Sequence, residues 1–394
     1  MQETPLSMRK HIAIFGKTNA GKSSLFNGLL GQSVSIVSNV KGTTTDPVAK
    51  AMELIGYGPV AVVDTAGLGD DTVLGTQRTK KTKEILKRTD LVILVKDINT
   101  CGEEVADFGT LPVITVYTKC DLAEDAHIKK VMDEDPDAIF VKDYTEKGLE
   151  KLREKMVAEL KKQAPDDETL LGDIVAEGGT VIMVIPIDTA APKGRLILPQ
   201  VQAIRDCLDH KIRAISITPD LLCDTLRDFP DTALVVTDSQ AFDEVSKIVP
   251  EEVPLTSFSM LLAKQKGRIN QLIEGTKVIS DLNDGDEILM LEACTHSTTH
   301  EDIGKVKIPA LLMKKTEKKL KFTHLSGYDF PDDINKYKLV IQCGGCMINK
   351  KTIQNRLELL EKERISVTNY GVILAYLNGI LERASKPFLN NKYK

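Results

Sequence analysis

Residues 16–23 read Gly-Lys-Thr-Asn-Ala-Gly-Lys-Ser, a turn suited to holding a phosphate chain. Phosphates are dense negative charge, best met by backbone N–H groups of a Gly-rich turn at a helix N-terminus. The turn follows the apolar run His11–Phe15 and precedes the helical stretch Ser24–Leu30, which is the strand–loop–helix context this chemistry needs. In that context Asn19, Ala20, Gly21, Lys22, Ser23 and Ser24 form the cradle. Lys22 reaches the β- and γ-phosphates, and the Ser23 hydroxyl binds Mg²⁺.

Three further signals follow in chain order. Gly42-Thr-Thr-Thr45 lies in a polar loop, where Thr44 closes over Mg²⁺ and the γ-phosphate as a switch. Asp64-Thr-Ala-Gly67 ends an apolar strand, so Asp64 holds Mg²⁺ through water and the Gly67 N–H senses the γ-phosphate. Thr118-Lys-Cys-Asp121 ends another. The Asp121 carboxylate accepts from guanine N1–H and the 2-amino group, a donor pair that adenine lacks, so it selects GTP over ATP. Lys22, Thr44 and Gly67 are the candidate catalytic groups.

A second constellation lies near the other end. In Cys343-Gly-Gly-Cys346 two glycines let both thiolates face one ion or cluster. Cys294-x-His296 stands some fifty residues upstream. Three cysteines plus a non-cysteine ligand fit an iron–sulfur cluster with an open iron, and equally a Cys₃His zinc site. A CxxC is also a redox pair in some settings, but no thioredoxin-like frame is expected around this one. His296 and Glu292 are candidate accessory ligands, with His300 and His324 as further donors nearby. Cys101, Cys120, Cys207 and Cys223 are scattered and read as ordinary thiols.

Elements must position these groups. Apolar runs at His11–Phe15, Val60–Asp64, Leu91–Lys96, Val113–Tyr117 and Ala138–Val141 alternate with helical stretches. That rhythm predicts a mainly parallel sheet covered by helices, closed by the amphipathic helix Gly148–Lys162. The expected boundaries are 1–165 for this domain, 166–267 for a smaller α/β domain and 268–394 for a metallocluster-binding α/β domain. In the middle domain Val181–Ile187, Ala214–Thr218 and Ala233–Thr237 read as strands. Leu198–Leu208 and Leu221–Phe229 read as helices. It has no phosphate loop and no catalytic cluster, so scaffolding or self-association is its expected role. Beyond residue 268, Lys351–Glu361 and Tyr370–Arg383 are expected as helices.

Composition bounds the rest. At 394 residues, with 42% apolar and 28% charged side chains, the chain has material for two or three cores. A net charge of -5 speaks against nucleic acid as the main partner. Met1–Lys10 lacks an apolar signal region, and no run of about 18 apolar residues spans a membrane. Seven cysteines, an odd count, suit a reducing compartment, and a cytoplasmic location is expected.

The ordered nucleotide signals resemble the TrmE-Era group of translation-factor-like GTPases. Asn19 resembles the asparagine that marks the K⁺-activated members of that group, where a K⁺ does the work of an arginine finger. Leu68 stands where Ras-like enzymes place a water-orienting Gln, so hydrolysis is expected to be slow and K⁺-stimulated. The guanine motif departs in beginning with Thr118 rather than Asn. No Ser-Ala element is clear in Val141-Lys-Asp-Tyr144.

With the middle domain and the Cys-x-His…Cys-Gly-Gly-Cys-Met pattern, the whole chain resembles the HydF family of [FeFe]-hydrogenase maturation GTPases. Gln342 stands where that signature usually has a second histidine. The resemblance implies a [4Fe-4S] cluster on Cys294, Cys343 and Cys346. It implies a homodimer through the middle domain, with higher oligomers open. It further implies a di-iron precursor made with two radical-SAM maturases and passed to apo [FeFe]-hydrogenase. The competing reading is a ribosome- or RNA-associated GTPase with a C-terminal zinc site, using the lysine-rich segment Lys314–Lys321.

Overall fold

The computed structural model describes residues 5–31, 49–65, 82, 84–100, 107–163, 169–187, 196–293, 303–331 and 333–389. The chain forms two compact units, Met1–Asp166 and Asp167–Lys394. Among the described residues no helix is long and apolar enough to cross a membrane.

The first unit runs β1 (Lys10–Gly16), α1 (Lys22–Leu30), β2 (Ala49–Leu54), β3 (Gly58–Asp64), β4 (Leu91–Asp97), β5 (Val113–Thr118), α2 (Asp125–Glu134), β6 (Ile139–Phe140) and α3 (Glu150–Lys162). The strand order is β2-β3-β1-β4-β5-β6, parallel except for β2, which runs antiparallel to β3. The apolar strands are continuous rather than alternating because helices and loops bury both faces. Ile12 and Ile14 of β1 pack with Leu25, Phe26 and Leu29 of α1, while Ala13 and Phe15 pack on the other side with Val63 and Val92. Strand β1 lies between β3 and β4, so its C-terminal end opens where the strand order reverses. That is where parallel sheets bind ligands.

The second unit begins with β7 (Thr180–Val184), α4 (Leu198–Asp209), β8 (Arg213–Ile217), α5 (Leu222–Asp228), β9 (Thr232–Thr237), α6 (Phe242–Ile248), β10 (Leu255–Ser257) and α7 (Phe258–Lys266). It continues with α8 (Ile269–Glu274), β11 (Glu287–Glu292), α9 (Ile308–Thr316), β12 (Lys321–Ser326), β13 (Tyr337–Gln342), α10 (Lys350–Lys362), β14 (Ser366–Asn369), α11 (Tyr370–Leu377) and α12 (Leu381–Leu389). Two four-stranded parallel sheets result, ordered β10-β9-β7-β8 and β12-β11-β13-β14. They share one hydrophobic core: Ile182, Val235 and Phe242 cluster with Leu289, Val340, Leu357 and Val367. In the second sheet α9 packs on one face, through Ile308 and Leu312, and α10 on the other, through Ile353 and Leu357. The order therefore reverses between β11 and β13.

Three local expectations change. Tyr370–Arg383 is two helices, because Gly379 takes a left-handed φ of 75° and ends α11. The run 314–321 is not one face: Lys314 and Lys315 end α9, and Lys321 begins β12. The CxxC does have a strand and a helix around it, β13 immediately before and α10 shortly after.

Candidate functional site

The phosphate loop hangs between β1 and α1. Gly16 pairs with Val95 across the sheet, and a Cβ there would lie 2.2 Å from the Val95 carbonyl oxygen, so only glycine fits. Asn19 and Gly21 both adopt left-handed φ, 62° and 88°. Asparagine is among the few non-glycine residues that tolerate this region, which gives Asn19 a backbone role as well. Lys22 is 6% exposed, and its Nζ donates to the carbonyls of Gly16 (2.9 Å) and Lys17 (2.7 Å). The lysine is thereby folded back over the loop, where a phosphate chain would lie. Ser23 and Ser24 open α1 beside it.

The C-terminal edge of the sheet gathers the other groups. Asp64 ends β3 in register with Ile14, two residues before Gly16. Asp97 ends β4 in register with Thr118 at the end of β5. Thr118 is fully buried, and its Oγ1 donates to the Ala20 carbonyl at 2.6 Å, tying the guanine loop to the phosphate loop. Lys119 takes a φ of 57° and its Nζ donates to Asp97 Oδ2 at 2.7 Å. Burial pushes the Asp97 carboxyl up, but hydrogen bonds from Lys119 and the Asn99 N–H outweigh it and hold it below the ordinary carboxylate range. Asp121 lies exposed in the short helical turn Cys120–Leu122.

Tyr144 borders the same corner. A Cβ on Gly21 would lie 2.9 Å from its hydroxyl. Burial, then the charge of Asp121, raise the Tyr144 phenol above its usual value. The Asp143 carboxylate accepts from the Thr145 N–H at 2.9 Å and fixes the turn after β6. Thr44, Gly67 and Leu68 lie outside the described residues. Asp97 and Tyr144 are site residues that sequence reasoning passed over. The signal for Asp97 was an acidic residue ending an apolar strand.

The cysteine pair occupies the reversal point of the β12-β11-β13-β14 sheet. The Cys343 N–H donates to Leu291 O at 2.8 Å, so the loop leaves β13 directly beside the end of β11. Cys343 Sγ accepts from the Ala293 N–H at 3.0 Å and from the Gly345 N–H at 3.4 Å. Gly345 adopts a φ of 67°. Ala293 immediately precedes Cys294. Cys294, His296 and His300 lie outside the described residues. Among the described residues no group of three or more His, Cys, Asp or Glu side chains is placed to hold a metal ion.

Buried cations surround the loop. Lys266, the last residue of α7, is 7% exposed; its Nζ donates to the carbonyls of Gly345 and, at 2.9 Å, Ile348. Burial lowers its pKa to about 8, and the neighbouring Cys346 and Cys343 oppose that fall. Arg356 donates to the carbonyls of Gly327 (3.0 Å) and Asp329 (3.3 Å), and burial lowers its pKa too. Gln342, 4% exposed, keeps an Oε1 without a hydrogen-bond partner among the described residues. Glu292 accepts from the Tyr370 hydroxyl at 3.2 Å. His324 lies on β12, in register with Met290. A thiol that accepts two backbone N–H bonds, with a buried lysine beside its loop, suits an anionic thiolate-ligated metal group.

Comparisons with known proteins match one family in the first unit and two in the second. Residues 170–267 match the hydrogen maturase F dimerization domain, and residues 270–387 the hydrogen maturase F tetramerization domain. Together these cover more than half of the chain. Residues 11–119 match a family described as 50S ribosome-binding GTPase. The chain is 34% identical over 151 residues to the tRNA modification GTPase MnmE of Legionella pneumophila (strain Corby), covering 36% of this chain and 32% of MnmE. It is 32% identical over 146 residues to GTPase Der of Kosmotoga olearia, covering 34% of this chain and 33% of Der. It thus spans about a third of the length of these relatives. Among solved structures, the G domain of the T. maritima FeoB iron transporter aligns with TM-score 0.28 and 27% identity over 39% of this chain and 99% of that one. Era of Aquifex aeolicus aligns with TM-score 0.31 and 18% identity over 57% and 99%. Scores this low carry no weight beside the sheet topology.

Proposed function

Because the chain belongs to the hydrogen maturase F family, we propose that it is a GTP-hydrolysing scaffold that holds a [4Fe-4S] cluster and delivers a di-iron precursor to apo [FeFe]-hydrogenase. Its N-terminal domain is a GTPase domain that binds GTP or GDP with Mg²⁺, and its other two domains are oligomerisation domains. The cluster ligands are Cys294, Cys343 and Cys346. The supporting observation is the Ala293 N–H bonded to Cys343 Sγ, which brings the chain next to Cys294 against the cysteine pair. When bound, the cluster supplies an iron with an exchangeable position for the cargo. The chain's own residues supply thiolates, backbone N–H donors and the buried Gln342 and half-buried Glu292 as neighbouring polar groups, with His296 as an accessory ligand.

At the nucleotide site Lys22 exchanges the Gly16 and Lys17 carbonyls for phosphate oxygens. Ser23, Thr44 and Asp64 hold Mg²⁺, the Gly67 N–H meets the γ-phosphate, and Asp121 reads guanine. Turnover is slow because Leu68 cannot orient water, and K⁺ at Asn19 stimulates it. GTP then acts on partner affinity by ordering and releasing switch loops. The partners are two radical-SAM maturases and the apo-hydrogenase, met in the cytoplasm. Replacing K⁺ by Na⁺ should slow hydrolysis; equal rates contradict the role of Asn19. Asp121→Asn should turn preference from guanine to xanthine nucleotides; unchanged preference contradicts its role.

A further inference from the structure

Helix α7 ends the segment that matches the dimerization domain, yet its side chains grip the cysteine loop of the next domain. Ser259, in its first turn, packs on Gly344: a Cβ there would lie 3.6 Å from Ser259 Cβ. Lys266, at its other end, spans the second half of the loop through the carbonyls of Gly345 and Ile348. Asn369 Nδ2, at the end of β14, donates to the Ser259 carbonyl at 3.2 Å and fixes the start of the helix. The loop between Cys343 and Ile348 is therefore shaped from both ends of one helix.

A lysine buried to this degree is costly unless something compensates for it. Two carbonyl oxygens satisfy donors but carry no charge. Among the described residues no carboxylate pairs with Lys266, whereas thiolates bound to an iron–sulfur core form an anionic group that supplies the compensating charge.

We propose that Lys266 is a positioning residue for the cluster, holding the 345–348 backbone so that Cys343 and Cys346 face one site while its ammonium offsets the charge of the thiolate-bound core. This rests on the cluster reading given above. It makes the dimerization segment part of the metal site, so the cluster and that segment are mechanically joined through α7.

Two variants separate the roles. Lys266→Gln keeps an N–H donor for the loop but removes the charge, whereas Lys266→Met removes both. Full-length wild type and both variants are reconstituted anaerobically with iron and sulfide. They are compared by metal and sulfide content, by EPR-monitored reduction, and by thermal melting. Lys266→Gln should retain iron near the wild-type content but reduce at a more negative potential, because a positive neighbour favours the reduced core. Lys266→Met should lose iron several-fold. A Lys266→Gln protein with the wild-type potential overturns the inference, whatever Lys266→Met does. A wild type that takes up zinc and no sulfide overturns the cluster reading and this inference with it.

Discussion

Cys343 Sγ accepts a hydrogen bond from the Ala293 N–H at 3.0 Å, across 50 residues of sequence. The bond exists because β11 and β13 are parallel neighbours whose C-terminal ends lie level, Leu291 beside Gln342. Phosphate loop and cysteine loop thus occupy equivalent places in two different sheets, each at the point where strand order reverses.

Thr118 stands where this motif usually begins with asparagine. Its hydroxyl bridges to the Ala20 carbonyl from a fully buried position. Thr118→Val leaves that carbonyl without its donor, at a cost of about 1–3 kcal/mol. Affinity for a fluorescent GTP analogue should fall about tenfold or more, and Thr118→Asn should restore most of it. Equal affinity in the Val variant would show that the bridge is idle.

Lys22 stabilises the loop before nucleotide arrives. Lys22→Ala removes two charge-assisted hydrogen bonds, each contributing about 1.5–3 kcal/mol at most. Nucleotide-free protein should melt several degrees lower in the N-terminal transition, and GTP turnover should vanish. A variant with unchanged melting would mean that the two carbonyl contacts contribute nothing.

Gly21 combines a left-handed φ of 88° with the Tyr144 hydroxyl closing over it. Gly21→Ala should cost about 1–3 kcal/mol in strain and reduce GTP binding at least tenfold. Iron uptake should be unaffected. Titration calorimetry and iron analysis on one preparation check both halves.

Asp97 gives a pH dependence of known sign. Its folded pKa lies below the ordinary 3.8, so the stability it contributes is fully present above that value and is lost as pH falls through the folded pKa. Wild type should therefore exceed Asp97→Asn in melting temperature at neutral pH, with the gap closing only below about pH 4. A gap that closes near neutrality contradicts the Lys119–Asp97 pairing.

The strands and turn that frame the candidate nucleotide site were legible because its motifs are local. The turn, the acidic strand end and the guanine motif each fall within a few residues of an apolar run that buried parallel strands require. Strand β2 was not legible: Ala-Lys-Ala-Met-Glu-Leu alternates weakly and lies at a sheet edge. The strands of 268–394 are equally hard to read, because Glu287–Glu292 and Tyr337–Gln342 are short runs with charged or polar ends. Cys343 and Cys346 were visible as a pair, but Lys266 was not. Its carbonyl partners come 79 and 82 residues later, and nothing in Phe258–Lys266 announces them.

The account turns on whether three cysteines hold an iron–sulfur cluster. Anaerobic iron and sulfide analysis with EPR on wild type and on Cys294→Ala, Cys343→Ala and Cys346→Ala measures this directly. Wild type should be brown, with iron and sulfide in about equal amounts, as a [4Fe-4S] core requires. Each variant should lose that cluster while GTP turnover persists. A colourless wild type loaded with zinc, or three variants with undiminished clusters, would contradict it.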